Sequence, residues 1–434
     1  SLKIFILLSF SEKEKPFLIS KISSLLFNFK GNSCSLVYLL SASITTSLIM
    51  ASFCNLPRNI LGRIMLLVPP DSVLQFKFVN KFCYSLISGL INDPKFVSKH
   101  LFITKNQSSA SLLFKRPFIH VDDHLIKYPL LTIIYDDDDD DDDDDDVKLF
   151  YSVVPVPGSI SLPLIHDERC NDENQWNRFY HCDGLILQVN PLGRMMLCNP
   201  CLKESMILPQ PRNTTIKGPY TNIGFEFDSK TNDYKCVAIW FDDEDYAFEV
   251  YTVGSDSWRE INMSQDVIVG IMGAKLQDGL CWSGVCYWFV VFDDTYENVL
   301  TFNMSNEEFD LIRDLPVGEL LVSDDRPHLS VWNDSLVLCW RDTDNNLCIS
   351  TMDGTKNVQL PTLDCHFRVL PFSKNDDFLI KFWRDYGTQT QFVSCNFLRG
   401  ISMIFYDLAR NLAAFFECFY VKTLVSIKRR GEVD

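Results

Sequence analysis

The residue types that most readily do chemistry are sparse in this chain, and their spacing is poor. His181, Cys182, Cys198 and Cys201 supply a histidine and a Cys-x-x-Cys pair, the donors of a tetrahedral zinc site or a zinc deaminase. A deaminase needs a glutamate two residues after the histidine to carry protons, and Asp183 stands there instead. Pro200 falls inside the cysteine pair, and Cys198 and Cys201 flank a predicted strand end, so both read as core. The run Asp136 to Asp146 offers carboxylates of the kind calcium takes, but it holds no glycine to converge them on one ion. Charges this dense repel one another, which makes the run a solvated loop. Seven histidines, no Gly-x-Ser-x-Gly and no glycine-rich phosphate loop leave little for nucleophilic or phosphoryl chemistry. No catalytic residue, metal or cofactor is expected.

Composition points the same way. The 434 residues are 47% hydrophobic and 13% aromatic, enough to bury a large core in more than one module. The net charge is −17, but eleven of those charges belong to the Asp136 to Asp146 run. The remaining balance, roughly −6, argues for neither nucleic acid nor an anionic membrane as a partner. Fifteen cysteines without regular spacing read as buried thiols in a reducing compartment, hence the cytoplasm, with the nucleus as a second location. The sequons at Asn213 and Asn262 are then chance matches. Residues 1–49 are rich in Ser, Leu and Phe without a stable period, and Met50 reads as the natural start after a non-native or disordered leader.

Residues 56–101 read as three short apolar helices. Pro57 suits a first helical turn, and Ile60, Leu61, Ile64, Met65, Leu67 and Val68 follow at helical spacing until Pro69-Pro70. Asp71 and Ser72 open a second helix carrying Val73, Leu74, Phe76 and Val79. A third begins near Asn80, with Phe82, Cys83, Leu86, Ile87 and Leu90 on one stripe, and Gly89 to Pro94 is expected to end it. A unit of about 45 residues cannot cover its own apolar faces, so part of that surface is available to another protein.

From about residue 175 the period changes to that of strands and repeats. Apolar strands begin at Gly184, Lys235, Val285, Leu336 and Phe378, about 50 residues apart. A second series, at Leu197, Glu249, Leu300, Cys348 and Ile404, follows each one. Such a period, with several strands per unit, is that of propeller blades, which must stack to cover two apolar faces. The apolar segments in 111–165 and Phe415 to Ile427 are expected to supply a further blade from the two ends of the chain. A sialidase-like turn occurs once, at Ser255 to Trp258, without an arginine cluster, which disfavours a glycosidase.

Two resemblances follow from these residues. Leu56-Pro57, Ile64, Val68-Pro69, Ser72-Val73-Leu74, Phe76-Lys77, Val79, Lys81 and Leu86-Ile87 resemble an F-box, with Asp71, Gln75 and Cys83 where Lys, Arg and Trp are usual. Cys182-Asp183-Gly184-Leu185, Cys198-Asn199-Pro200, the run Gly224 to Lys235, Glu249-Val250-Tyr251 and Ser257-Trp258-Arg259 resemble the F-box-associated domain of plant F-box proteins. Within that group the likeness is to the S-locus F-box proteins. The resemblance implies an α+β, multidomain chain. A three-helix F-box would occupy 50–101, and 102–165 would hold a linker and first strands with the acidic loop 136–146. An all-β, kelch-like propeller of about six blades would fill 166–430.

It also implies a non-catalytic substrate receptor of a Skp–cullin–F-box ubiquitin ligase. Leu56, Pro57, Ile60, Ile64, Pro69, Val73, Leu74, Phe76, Leu86 and Ile87 would bury against a Skp-family adaptor, and through it a cullin. The propeller would carry the substrate, an S-locus ribonuclease if the finer likeness holds. Trp240, Phe241, Asp242, Asp243, Glu244 and Asp245 form an acidic loop suited to such a basic protein. The alternative is a non-degradative scaffold whose F-box is weakened by its departures.

Overall fold

The computed structural model describes residues 56–106 and much of 109–428, leaving out 115–124, 135–159, 164–177, 212–221, 316–326 and several shorter connections. The expected leader and the Asp136 to Asp146 loop lie outside the described residues. The chain divides into a helical unit, which includes 56–106 and Lys422–Val425, and a sheet unit, which includes 109–421 and 426–428.

Among the described residues, four helices build the first unit, one more than expected over 56–101. α1 (Arg58–Met65) buries Leu61, Ile64 and Met65, one stripe at i, i+3 and i+4. α2 (Pro70–Phe76) begins on a proline, whose fixed φ and missing N–H suit the first turn, and buries Val73. α3 (Lys81–Ile91) is capped by Asn80, whose side-chain oxygen accepts from the Cys83 N–H at 2.8 Å, and buries Cys83 and Ile87. Gly89 does not stop it. The break falls at Asn92, and Pro94 then starts α4 (Pro94–Lys105) behind the Asp93 cap. A proline that reads as a terminator is here the first residue of the next helix.

α4 is tied back to the turn after α1 by a buried histidine. His100 Nε2–H donates to the Val68 carbonyl at 2.9 Å, and its ring lies 5.7 Å from that of Phe96. Burial lowers the His100 pKa, partly offset by that hydrogen bond. The fold therefore favours the neutral ring. That stability is present above the unfolded value of 6.5 and is lost as pH falls below it. Hydrogen exchange of α1 and α4 amides is expected to show opening that grows easier from about pH 7.5 to 5.5, by at most about 1.4 kcal/mol per pH unit. His100→Gln should abolish this dependence.

Among the described residues, the sheet unit contains five four-stranded antiparallel sheets, each strand bonded to the next in sequence. Sheet I spans 178–207, II 222–260, III 275–312, IV 328–360 and V 366–408. The first strand of each lies beside the first strand of the next. A three-stranded sheet joins both ends of the unit: Ser109–Phe114 pairs on one side with Leu130–Ile134 and on the other with Glu417–Tyr420. Leu125–Tyr128 and Ile160–Pro163 form a separate pair.

Period-two alternation sends successive side chains to opposite faces, and both faces are covered. Trp288 and Val290 pack with Val237, Ile239 and Val250, whereas Phe289 and Val291 pack with Leu329 and Leu338. In sheet IV, Leu338 faces that second cluster, while Val337 and Cys339 face Phe367, Val369 and Ile380. Sheets III and IV are thus each the wall of two cores. Asp183-Gly184 and Ser283-Gly284 close their hairpins with positive φ at both positions (53° and 81°, 51° and 80°), which glycine accepts without a Cβ clash.

Two features were not anticipated. α5 (Gln265–Ile271) lies between sheets II and III and buries Val267 and Ile271. Cys281 and Cys286, expected as thiols, are joined by a disulfide across the Ser283-Gly284 hairpin, where the register sets them opposite one another. Cys83, Cys182, Cys198, Cys236 and Cys339 are buried free thiols.

Candidate functional site

The helical unit does not cover itself. Phe78 is 87% exposed, Tyr84 59% and Val79 44%. Phe78 and Val79 sit in the hydrogen-bonded turn after α2, and Tyr84 lies on the first turn of α3, one residue past the buried Cys83. Three large apolar side chains this close in sequence, all in water, are the candidate docking residues of this unit.

The ten residues expected to meet an adaptor divide into two sets. Ile64, Val73 and Ile87 are buried within the unit itself, so they hold the helices together and are not surface. Leu56, Ile60, Leu74, Phe76 and Leu86 are half-buried, and Pro57 and Pro69 are exposed. Sequence spacing missed Phe78 and Tyr84 because neither belongs to a core stripe, and that is also the signal that could have found them.

The departures from the usual F-box residues are accommodated. Cys83 is fully buried, a small side chain filling the core where Trp is usual. Asp71 forms an ion pair with Lys422, a residue of the C-terminal segment that belongs to this unit. Thr423 and Leu424 beside it are buried. Gln75 is exposed.

In the sheet unit, the run Gly224 to Lys235 turns out to be a joint. Asp228 is fully buried at the end of a strand and accepts from the Lys230 N–H (2.9 Å) and the Thr231 and Ser305 hydroxyls (2.6 Å each). Lys235 lies 2.6 Å from Asp228 and donates to Glu307 at 2.7 Å and to the Met304 carbonyl at 2.9 Å. Glu307 in turn pairs with Arg259. These bonds lock sheet II to sheet III. On the other side, the Tyr234 hydroxyl donates to Asp183 of sheet I at 3.0 Å.

Burial alone would raise the Asp228 carboxyl. The Lys235 ammonium and the Ser305, Thr231 and Lys230 donors outweigh it and hold the group well below the usual carboxylate range.

The other sequence candidates are placed as follows. Trp240 is only 7% exposed and meets Trp258 edge to face, so it is core, not a contact for a partner. Phe241 ends the same strand, and Asp242 to Asp245 lie outside the described residues. The Cys182 thiol donates to Glu226 at 2.8 Å. Burial pushes the Cys198 thiol up to about 12, which keeps it protonated and a poor metal ligand. Asn199 explains its own motif: its side chain accepts from the Cys201 and Leu202 N–H groups and shapes the turn around Pro200. Among the described residues no three His, Cys, Asp or Glu side chains are grouped to hold a metal. No described helix is long and apolar enough to cross a membrane.

Comparison with known families agrees with this geometry. Residues 53–95 match the F-box domain, and residues 150–351 match the F-box associated beta propeller domain. Its relatives include an F-box protein of Arabidopsis thaliana, 25% identical over 276 residues that cover 61% of this chain and 62% of that protein. A second from the same plant is 27% identical over 276 residues, covering 61% and 65%. The F-box/WD-40 repeat-containing protein 1 of Arabidopsis thaliana is 25% identical over 278 residues, covering 60% and 56%. The chain spans less than two thirds of the length of these relatives.

Proposed function

We propose that this chain is the substrate-recognition subunit of a Skp–cullin–F-box ubiquitin ligase in the cytoplasm and nucleus. The observation that carries the reading is the exposure of Phe78, Val79 and Tyr84 on the helical unit. A Skp-family adaptor covers that face together with the accessible edges of Leu56, Pro57, Ile60, Pro69, Leu74, Phe76 and Leu86, and a cullin joins through the adaptor. The receptor does no bond chemistry. It holds a target beside the ubiquitin-loaded enzyme and raises effective concentration. The accommodation of Cys83 and Asp71 argues against a scaffold with an incapacitated F-box, because the module stays folded around both.

The target binds at hairpin tips of the sheet unit, which a rigid scaffold presents. The finer reading is a basic protein such as an S-locus ribonuclease, met by Asp242, Asp243, Glu244 and Asp245. Affinity purification from pollen tests both levels. Recovery of a Skp-family adaptor with a ribonuclease is expected. Adaptor with other clients would remove the ribonuclease, and no adaptor at all would remove the ligase reading.

A further inference from the structure

The two carboxylates of the segment 56–106 are both engaged, Asp71 with Lys422 and Asp93 with the Lys95 N–H. Against them stand seven cations, Arg58, Arg63, Lys77, Lys81, Lys95, Lys99 and Lys105, which give this segment a net charge of +5 in a chain of −17. α4 carries three of them and no carboxylate. Most of α4 lies beyond the residues that match the F-box domain, which end at 95.

Its two faces differ sharply. Phe96, His100 and Leu101 are buried, whereas Lys95, Ser98, Lys99 and Phe102 are exposed, Phe102 at 68%. Lys95, Lys99 and Phe102 stand at i, i+4 and i+7, which places them on one stripe about 10 Å long. Among the described residues neither Lys95 nor Lys99 takes part in an ion pair. A phenyl ring held in water beside cations is suited to an apolar pocket rimmed by carboxylates.

We infer that this outer stripe of α4 is a second docking contact for the adaptor, meeting an acidic surface with an apolar pocket on that protein. The inference rests on the docking reading above and adds to it a charge-steered contact outside the F-box match. Phe102 supplies burial, and Lys95 and Lys99 supply attraction that is screened by salt.

Calorimetric titration of the full chain with a purified plant Skp-family adaptor tests it. At about 0.05 M salt, Lys95→Glu/Lys99→Glu is expected to weaken binding about ten-fold, with the gap closing to about two-fold at 0.5 M. Phe102→Ala is expected to weaken binding by about ten-fold at both salts. All three residues are exposed, and an unchanged helical circular dichroism signal would show that the variants fold. Wild-type binding with both variants at wild-type affinity overturns this inference alone. A wild type that binds no adaptor overturns the docking reading and this inference with it. If the lysine variant keeps its adaptor affinity but loses binding to phosphatidylserine vesicles, the stripe is a lipid contact and the inference fails.

Discussion

Lys235→Met is expected to destabilise the sheet unit by about 3–5 kcal/mol, measured by urea unfolding at neutral pH. Lys235 and Asp228 are both buried, and the ammonium also holds Glu307 and the Met304 carbonyl. Removing it leaves an ionised carboxylate in the interior with only the Ser305, Thr231 and Lys230 donors to offset its lost hydration. The double variant Asp228→Asn/Lys235→Met removes both charges and is expected to recover to within about 2 kcal/mol of the wild type. A single variant within about 1 kcal/mol of the wild type would show that water reaches the pair.

The same network sets an acid limit. Because the folded Asp228 carboxyl titrates below its unfolded value, its contribution is fully present above about pH 4. It is then lost as pH falls toward the lower folded value. Asp228→Asn should flatten that part of the stability profile.

Phe78→Ala/Tyr84→Ala is expected to abolish adaptor binding while leaving the helices folded. Burying one aromatic of this kind contributes roughly 1.5–3 kcal/mol, so losing two lowers affinity by about a hundred-fold or more. Both side chains are largely in water in the free chain, so their removal costs the fold little. Val73→Ala behaves oppositely: Val73 is fully buried, and its truncation should loosen the helical unit itself, by about 2 kcal/mol. Comparing the pair separates a contact residue from a core residue, a distinction that the original ten-residue set did not make.

Which parts of this were legible follows from the kind of signal involved. Helices α1 to α3 could be read because their apolar residues recur at helical spacing, and the sheets because a strand period repeats about every 50 residues. The three-stranded sheet joining Ser109–Phe114 to Glu417–Tyr420 was also within reach, since both segments are apolar and lie at opposite ends of the propeller sequence. α4 was lost because Gly89 to Pro94 carries breaker residues, and only the Asp93 cap shows that the proline begins a helix rather than ending one. Trp240 was misplaced because the acidic residues after it look like a surface loop. The strand that holds it lies between two sheets, which buries both faces.

Lys235 offered a missed clue of another type. A lysine beside Tyr234 and ahead of Cys236-Val237-Ala238-Ile239, all buried, has no route to water and must find a carboxylate. Spacing alone does not name that partner, because Glu307 is 72 residues away and meets Lys235 only once sheets II and III stack. The exposed face of the helical unit was hard to see for the converse reason. Periodicity finds residues that turn inward, and Phe78 and Tyr84 are those left over.

The most direct test of the account is size-exclusion chromatography of the full chain mixed with a purified plant Skp-family adaptor, wild type against Phe78→Ala/Tyr84→Ala. The account predicts a one-to-one wild-type complex that elutes as a single earlier peak, and two separate peaks for the variant. A folded wild type that elutes apart from the adaptor, or a variant that still co-elutes with it, would contradict it.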